Sequence, residues 1–101
     1  MSRNTTMLSG TLIAREELRH TPAGMPALSF RIGHASEQVE AGLARNVNLE
    51  IDGVALGEVA EKLSRMPLQG QYSFEGFLAL RSRQSRMPVL HVNKFELHKS
   101  T

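Results

Sequence analysis

The 101-residue chain contains no cysteine and no tryptophan. Without cysteine there is no disulfide framework, no zinc ribbon and no thiol nucleophile. Aromatic residues are scarce, one tyrosine and four phenylalanines, so few side chains can stack on a nucleobase. The longest unbroken apolar run is Phe77–Leu80, far short of the ~20 residues of a spanning helix. The opening Met1–Thr6 carries no apolar core and no cleavage pattern, so it does not read as an export signal. The expectation is a cytoplasmic protein with no membrane partner.

The chemistry of several enzyme classes is missing too. No glycine-rich loop is followed by Lys-Ser/Thr, which argues against a nucleotide hydrolase. No Gly-x-Ser-x-Gly elbow occurs. His20, His34, His91 and His98 never fall at the i, i+4 spacing of a zinc protease helix. Each reads as a surface or satisfied histidine, with no metal site and no cofactor. The carboxylates gather in one stretch where solvation accounts for them. The chain reads as a non-enzyme.

What is present is globular: 41% hydrophobic and 22% charged residues, enough for one core and one domain spanning 1–101. The net charge of +2 is unevenly laid out. Residues 1–31 carry +2, residues 32–71 carry −3 and residues 72–101 carry +3. Basic ends around an acidic middle point to an anionic partner, with ordinary surface scatter as the alternative.

Alternation predicts five strands. Thr6–Leu18 is the first, with Leu8, Gly10, Leu12 and Ala14 on one face and a bulge or bend at Gly10. Thr21–Pro26 is a turn. Ala27–His34 is the second strand, with Leu28, Phe30 and Ile32 together. Glu37–Gly42 reads as a loop. Ala44–Ile51 is the third strand, broken by Asp52-Gly53. Leu56, Val59, Ala60 and Leu63 then follow at helix spacing. Asp52 is a candidate cap, Glu58 and Lys62 a stabilising pair, and Pro67 the stop; Gly57 weakens this helix by ~1 kcal/mol. Gln69–Arg81 and Pro88–Leu97 are the last two strands, joined by a polar connection. The order fits an all-β fold with one short helix, a five-stranded Greek-key OB-fold barrel. A five-stranded open sheet is the competing arrangement.

The connection Arg81-Ser82-Arg83-Gln84-Ser85-Arg86-Met87 is the strongest local signal. It holds three arginines within six positions and no acid in the loop sequence. Arginine forks onto phosphate oxygens, and its flat guanidinium stacks on bases. In an OB-fold this connection lies beside the nucleic-acid face. A loop that only keeps the protein soluble is the bland alternative. Arg15 and Arg19 form a second basic set, which Arg31 and Arg45 join if they point outward. Tyr72 and Phe77 are the candidate stacking platforms, and Lys94 is a further basic candidate. The expected binding is charge-led and salt-sensitive.

The chain also resembles a known family. The matching residues are Met7-Leu8-Ser9-Gly10-Thr11, Pro22-Ala23-Gly24-Met25-Pro26 leading to Phe30, and Glu40-Ala41-Gly42. They continue with Glu75-Gly76-Phe77 and with Val89-Leu90-His91 leading to Phe95-Glu96-Leu97. In order and spacing these are similar to the primosomal replication protein N (PriB) family. The resemblance implies an OB-fold homodimer, related to bacterial single-stranded DNA-binding protein. It implies partners: single-stranded DNA, the restart helicase PriA and DnaT, at replication forks in the bacterial nucleoid. It maps the family's basic loop onto Arg81, Arg83 and Arg86, and another basic position near Arg19. The chain departs from the family pattern at Leu43 and Asn48, where better-known members carry aromatics, and at Ala35, where an arginine is common. These departures imply weak single-strand binding and greater reliance on the helicase. Two alternatives stay open: an OB-fold adaptor with little DNA binding, and a single-stranded RNA-binding domain, which would want more aromatics.

Overall fold

The computed structural model describes residues 2–98. Lys99, counted in the basic C-terminal third, lies outside them. The elements run β1 (Thr6–Arg15), β2 (Arg19–His20), β3 (Pro26–Glu40), β4 (Leu43–Leu56), α1 (Glu58–Leu63), β5 (Gln71–Leu80) and β6 (Pro88–Leu97). Around the sheet the order is β1-β5-β6-β4-β3, and β3 pairs back to β1. That last pairing closes a five-stranded barrel and excludes the open sheet. All neighbours are antiparallel except β4 and β6. β2 is a two-residue pairing, Arg19↔Ala27 and His20↔Pro26, on the flank of β3. The architecture is the OB-fold expected from the alternation.

Closure depends on β1 serving two neighbours. Its first half pairs β5, from Thr6↔Gly76 to Thr11↔Gln71. Its second half pairs β3, from Thr11↔Gly33 to Arg15↔Phe30. The bulge falls between Leu12 and Ala14, not at Gly10 as expected. A bulge advances the chain by one residue and reverses the faces beyond it. Ala14, expected to share the face of Leu8 and Leu12, is therefore exposed.

β3 and β4 form one long hairpin, paired from Ala27↔Leu56 to Glu40↔Leu43. Two expectations fail here. Glu37–Glu40 is strand rather than loop, and only Ala41 (φ 53°) and Gly42 (φ 77°) make the turn. Paired positive φ values match the twist of a two-residue hairpin. The strand is also continuous through Asp52 and Gly53. Gly53 packs under the Phe30 ring, where a Cβ would lie 2.4 Å from Phe30 Cε2. The glycine makes room for an aromatic rather than ending the strand.

Leu12, Leu28, Phe30, Ile32, Tyr72, Phe74, Leu90 and Val92 fill the barrel, with Ala60 and Leu63 of α1 packed onto it. Phe30 and Phe74 lie 6.1 Å apart, Tyr72 and Phe74 5.5 Å, and Tyr72 and Phe95 6.1 Å. α1 is shorter than its apolar spacing suggested. Gly57 precedes it at φ 71°, a left-handed conformation that glycine adopts without strain. Asp52 does not cap it, because Asp52 sits within β4. The Glu58–Lys62 pair does form, at 3.3 Å.

Tyr72 was a candidate base platform, and the structure overturns that. Its side chain is fully buried, and its hydroxyl donates to the Pro67 carbonyl at 2.7 Å. Inward alternation with Phe74 and Gly76 puts it in the core. Burial pushes its phenol above the ordinary value of 10.0, an effect that the Arg15 charge partly opposes. A raised folded pKa means the native state holds this proton when the unfolded chain has released it. Stability from Tyr72 is thus present below pH 10 and is lost as pH rises through the folded value. Urea melts from pH 8 upward should show a decline beyond about pH 10 that is flatter in Tyr72→Phe. Parallel curves would contradict this reading.

Candidate nucleic-acid interface

The outer face of the β3–β4 hairpin carries side chains that point away from the barrel, and the 81–87 loop borders it. Register sets Arg31 opposite Asp52, and Gly33 opposite Glu50. Arg31 bridges both acids, Nη1 to Glu50 Oε1 and Nη2 to Asp52 Oδ1, each at 3.1 Å. Arg81, where the loop leaves β5, reaches back across the sheet. Its Nη2 donates to Asp52 Oδ2 at 2.7 Å. The loop sequence has no acid near Arg81, but the fold supplies one from 29 residues away. Arg31, Asp52 and Arg81 line an open groove of about 420 Å³ with Arg15, Ser29 and Gly53.

Arg83 and Arg86 lie further along the loop, exposed, and form no ion pair among the described residues. The loop between them is tied by Ser85, whose amide donates to the Ser82 carbonyl at 3.2 Å and whose hydroxyl accepts from the Met87 amide at 3.2 Å. Two unpaired guanidiniums on a short, internally bonded loop are placed to fork onto phosphates.

The other candidates separate. Arg15 turns toward the end of α1 and donates to the Leu63 carbonyl at 3.4 Å and to the Met66 carbonyl. It acts as a structural clamp between β1 and the segment that leaves α1, because the β1 bulge reversed its face. Arg19 is exposed on β2. Arg45 pairs with Glu40 across the hairpin tip at 2.6 Å, seven residues along β4 from Asp52, or roughly 23 Å at ~3.3 Å per residue. Lys94 is exposed opposite Glu75, towards the end of β6 remote from the loop. The structure therefore brings Arg15, Arg31 and Arg81 to one groove beside the loop that carries Arg83 and Arg86, with the Arg15 guanidinium committed to backbone carbonyls, and leaves Arg45 and Lys94 elsewhere.

Phe77 is the one aromatic on the outer surface, 40% exposed. It stacks on His91 of the neighbouring strand, centroids 4.9 Å apart and planes 6° from parallel. His91 in turn adjoins Val54 of β4. The sequence reading singled out Phe77 but not His91. The stack arises from the Phe77↔His91 register, and strand alternation alone carries no register. Asp52 and Glu50 were missed for the same reason.

A second, larger hollow of about 670 Å³ lies against β1, lined by Ser9, Thr11, Ile13, Gly33, Ala35 and Asn48 among others. The Thr6–Gly10 stretch pairs β5 on one side only. Among the described residues no strand pairs its other edge, where the Ser9 carbonyl lies 2.5 Å from His34 Nδ1.

Comparison with known proteins bears on the family and the fold. Residues 4–94 match a family described as "another single-strand binding protein family". Replication restart protein PriB of Nitrosomonas europaea is 37% identical over 92 residues, covering 91% of this chain and 85% of that protein. Replication restart protein PriB of Bordetella pertussis is 43% identical over 91 residues, covering 90% and 85%. Among solved structures, priB from Ralstonia solanacearum superposes with a TM-score of 0.88 at 32% identity, covering 97% of this chain and all of that one. A single-stranded DNA binding protein from Thermus aquaticus shares the fold, with a TM-score of 0.75 at 21% identity.

Proposed function

Since the chain belongs to the replication restart protein PriB family of single-strand binding proteins, we propose that it is a single-stranded DNA-binding accessory factor of the restart primosome. It is not an enzyme; its family is one of binding proteins. In this reading the chain works as one OB-fold domain over residues 1–101. Arg83 and Arg86 make the first phosphate contacts, with Arg31 and Arg81 behind them and Arg19 at the flank. Phe77, backed by His91, offers the one stacking surface. The chain stimulates the PriA helicase, hands the assembly towards DnaT, and acts in the bacterial cytoplasm at forks in the nucleoid. A homodimer would cover the open edge of β1 and the hollow beside it.

The observation that carries the proposal is the exposed arginine pair on a loop bordering the OB-fold's outer face. A second reading, an adaptor with little DNA binding, draws support from the hairpin tip. Val39 and Leu43 there are 76% and 72% exposed, which suits a protein partner more than a phosphate backbone. Fluorescence anisotropy with labelled oligo-dT and with duplex of equal length, at roughly 50 and 200 mM salt, separates the two. The proposal expects preference for the single strand and a marked loss at the higher salt. Equal or absent binding to both DNAs, with capture of the helicase intact, supports the adaptor.

A further inference from the structure

The middle of the outer face is electrically self-cancelled. Arg31 and Arg81 meet there, and Asp52 holds both, one carboxylate oxygen to each guanidinium. Glu50 holds the other Arg31 nitrogen. A carboxylate sharing its two oxygens between two guanidiniums occupies the geometry of a backbone phosphate in an arginine clamp. We propose that Asp52 is an internal phosphate mimic, a positioning residue that fills the anion subsite of Arg31 and Arg81 and limits the affinity of this face for DNA. The inference rests on the reading that this face meets single-stranded DNA.

The contact is weak enough to be exchanged. The Arg31, Arg81 and Asp52 side chains are 45%, 56% and 36% exposed, and solvent screens ion pairs this exposed so that each holds its partner only weakly. An arriving phosphate can take either fork. Asp52 then remains beside it as a like charge, which opposes binding. Asp52 also ties Arg81 to β4, whereas Arg83 and Arg86 are exposed and form no ion pair among the described residues. The anchoring carboxylate thus divides the basic cluster into a free pair that captures DNA and a shielded pair that engages only by displacing it.

The test is a titration of labelled oligo-dT with wild type, Asp52→Asn, Asp52→Glu and Asp52→Asn combined with Arg31→Ala and Arg81→Ala, across a salt series. Asp52→Asn is expected to bind about 3–10-fold tighter at low salt, the effect of removing one exposed like charge. Its log–log salt slope steepens by about 0.7–1.4, as one or two arginines gain phosphates. Asp52→Glu restores the charge and returns affinity towards wild type, which a purely steric role would not do. Adding the two alanines removes the gain. If Asp52→Asn proves unstable in a melt, Asp52→Ala takes its place with the same expectation. Wild type binding DNA with Asp52→Asn indistinguishable from it overturns the inference and leaves the functional reading standing. No binding by wild type or any Asp52 variant at the lowest salt overturns both.

Discussion

Replacing Arg83 and Arg86 together with alanine is expected to weaken binding to oligo-dT by roughly 30–150-fold at low salt. Each guanidinium is exposed and unpaired among the described residues, so neither has an internal partner to lose. Each phosphate contact then contributes about 1–1.5 kcal/mol net, and two such contacts give that fold-change. The log–log salt slope should flatten by about 1.4, or ~0.7 per phosphate released on a single strand. Thermal stability should stay within about 0.5 kcal/mol of wild type, because both side chains are on the surface. By contrast, Arg15→Ala should cost stability while leaving the salt slope unchanged, since the Arg15 guanidinium is held by the Leu63 and Met66 carbonyls. A double variant that binds as wild type would remove the loop from the interface.

The second large effect concerns the barrel rather than the site. At Gly76, β5 crosses a bulge against β6: Glu75 faces Lys94 and Gly76 faces Val92, leaving Asn93 unpaired. The two backbones close in at that point. A Cβ on residue 76 would lie 1.7 Å from the His91 carbonyl oxygen and 3.0 Å from Val92 Cα. Both obstacles are backbone, so no side-chain rotation relieves them. Gly76→Ala should therefore force β5 and β6 apart and cost about 3 kcal/mol or more. The melting temperature of a chain this size should fall by roughly 12–24 °C. The same separation would disturb the Phe77–His91 stack on the outer face. A variant that melts with wild type would mean the bulge can absorb a methyl group.

The sequence spoke clearly wherever one face of a strand was buried. Leu28-Phe30-Ile32 and Tyr72-Phe74 alternate because they line a closed barrel, and the five-stranded order followed from that pattern. It was misleading where the residue types hide the pairing. Glu37–Glu40 has both faces wet and reads as loop, and Asp52-Gly53 reads as a break although Gly53 is buried under Phe30, yet main-chain pairing carries the hairpin through both. The one-residue bulge in β1 was invisible, and it moved Arg15 from a presumed DNA contact to the end of a helix.

The site was legible by residue type but not by neighbourhood. Arginine clustering marked the 81–87 loop, and its role did not need the fold. Pairing across 29 residues did need it: Asp52, read as a helix cap, is the counter-ion of Arg81. Tyr72 illustrates the opposite error. It was singled out for its ring, although its alternation with Phe74 already placed it inside. With Tyr72, Phe74 and Phe30 buried and Phe95 packed against the core, only Phe77 is left to stack on a base. Charge is then the main term available to the outer face.

That claim is tested most directly by the salt dependence of wild-type binding to oligo-dT. Two to four phosphate-contacting arginines give a log–log slope of about −1.4 to −2.8, with Phe77→Ala lowering affinity but leaving the slope unchanged. Tight binding whose slope is near zero, and which Phe77→Ala abolishes, would contradict the account.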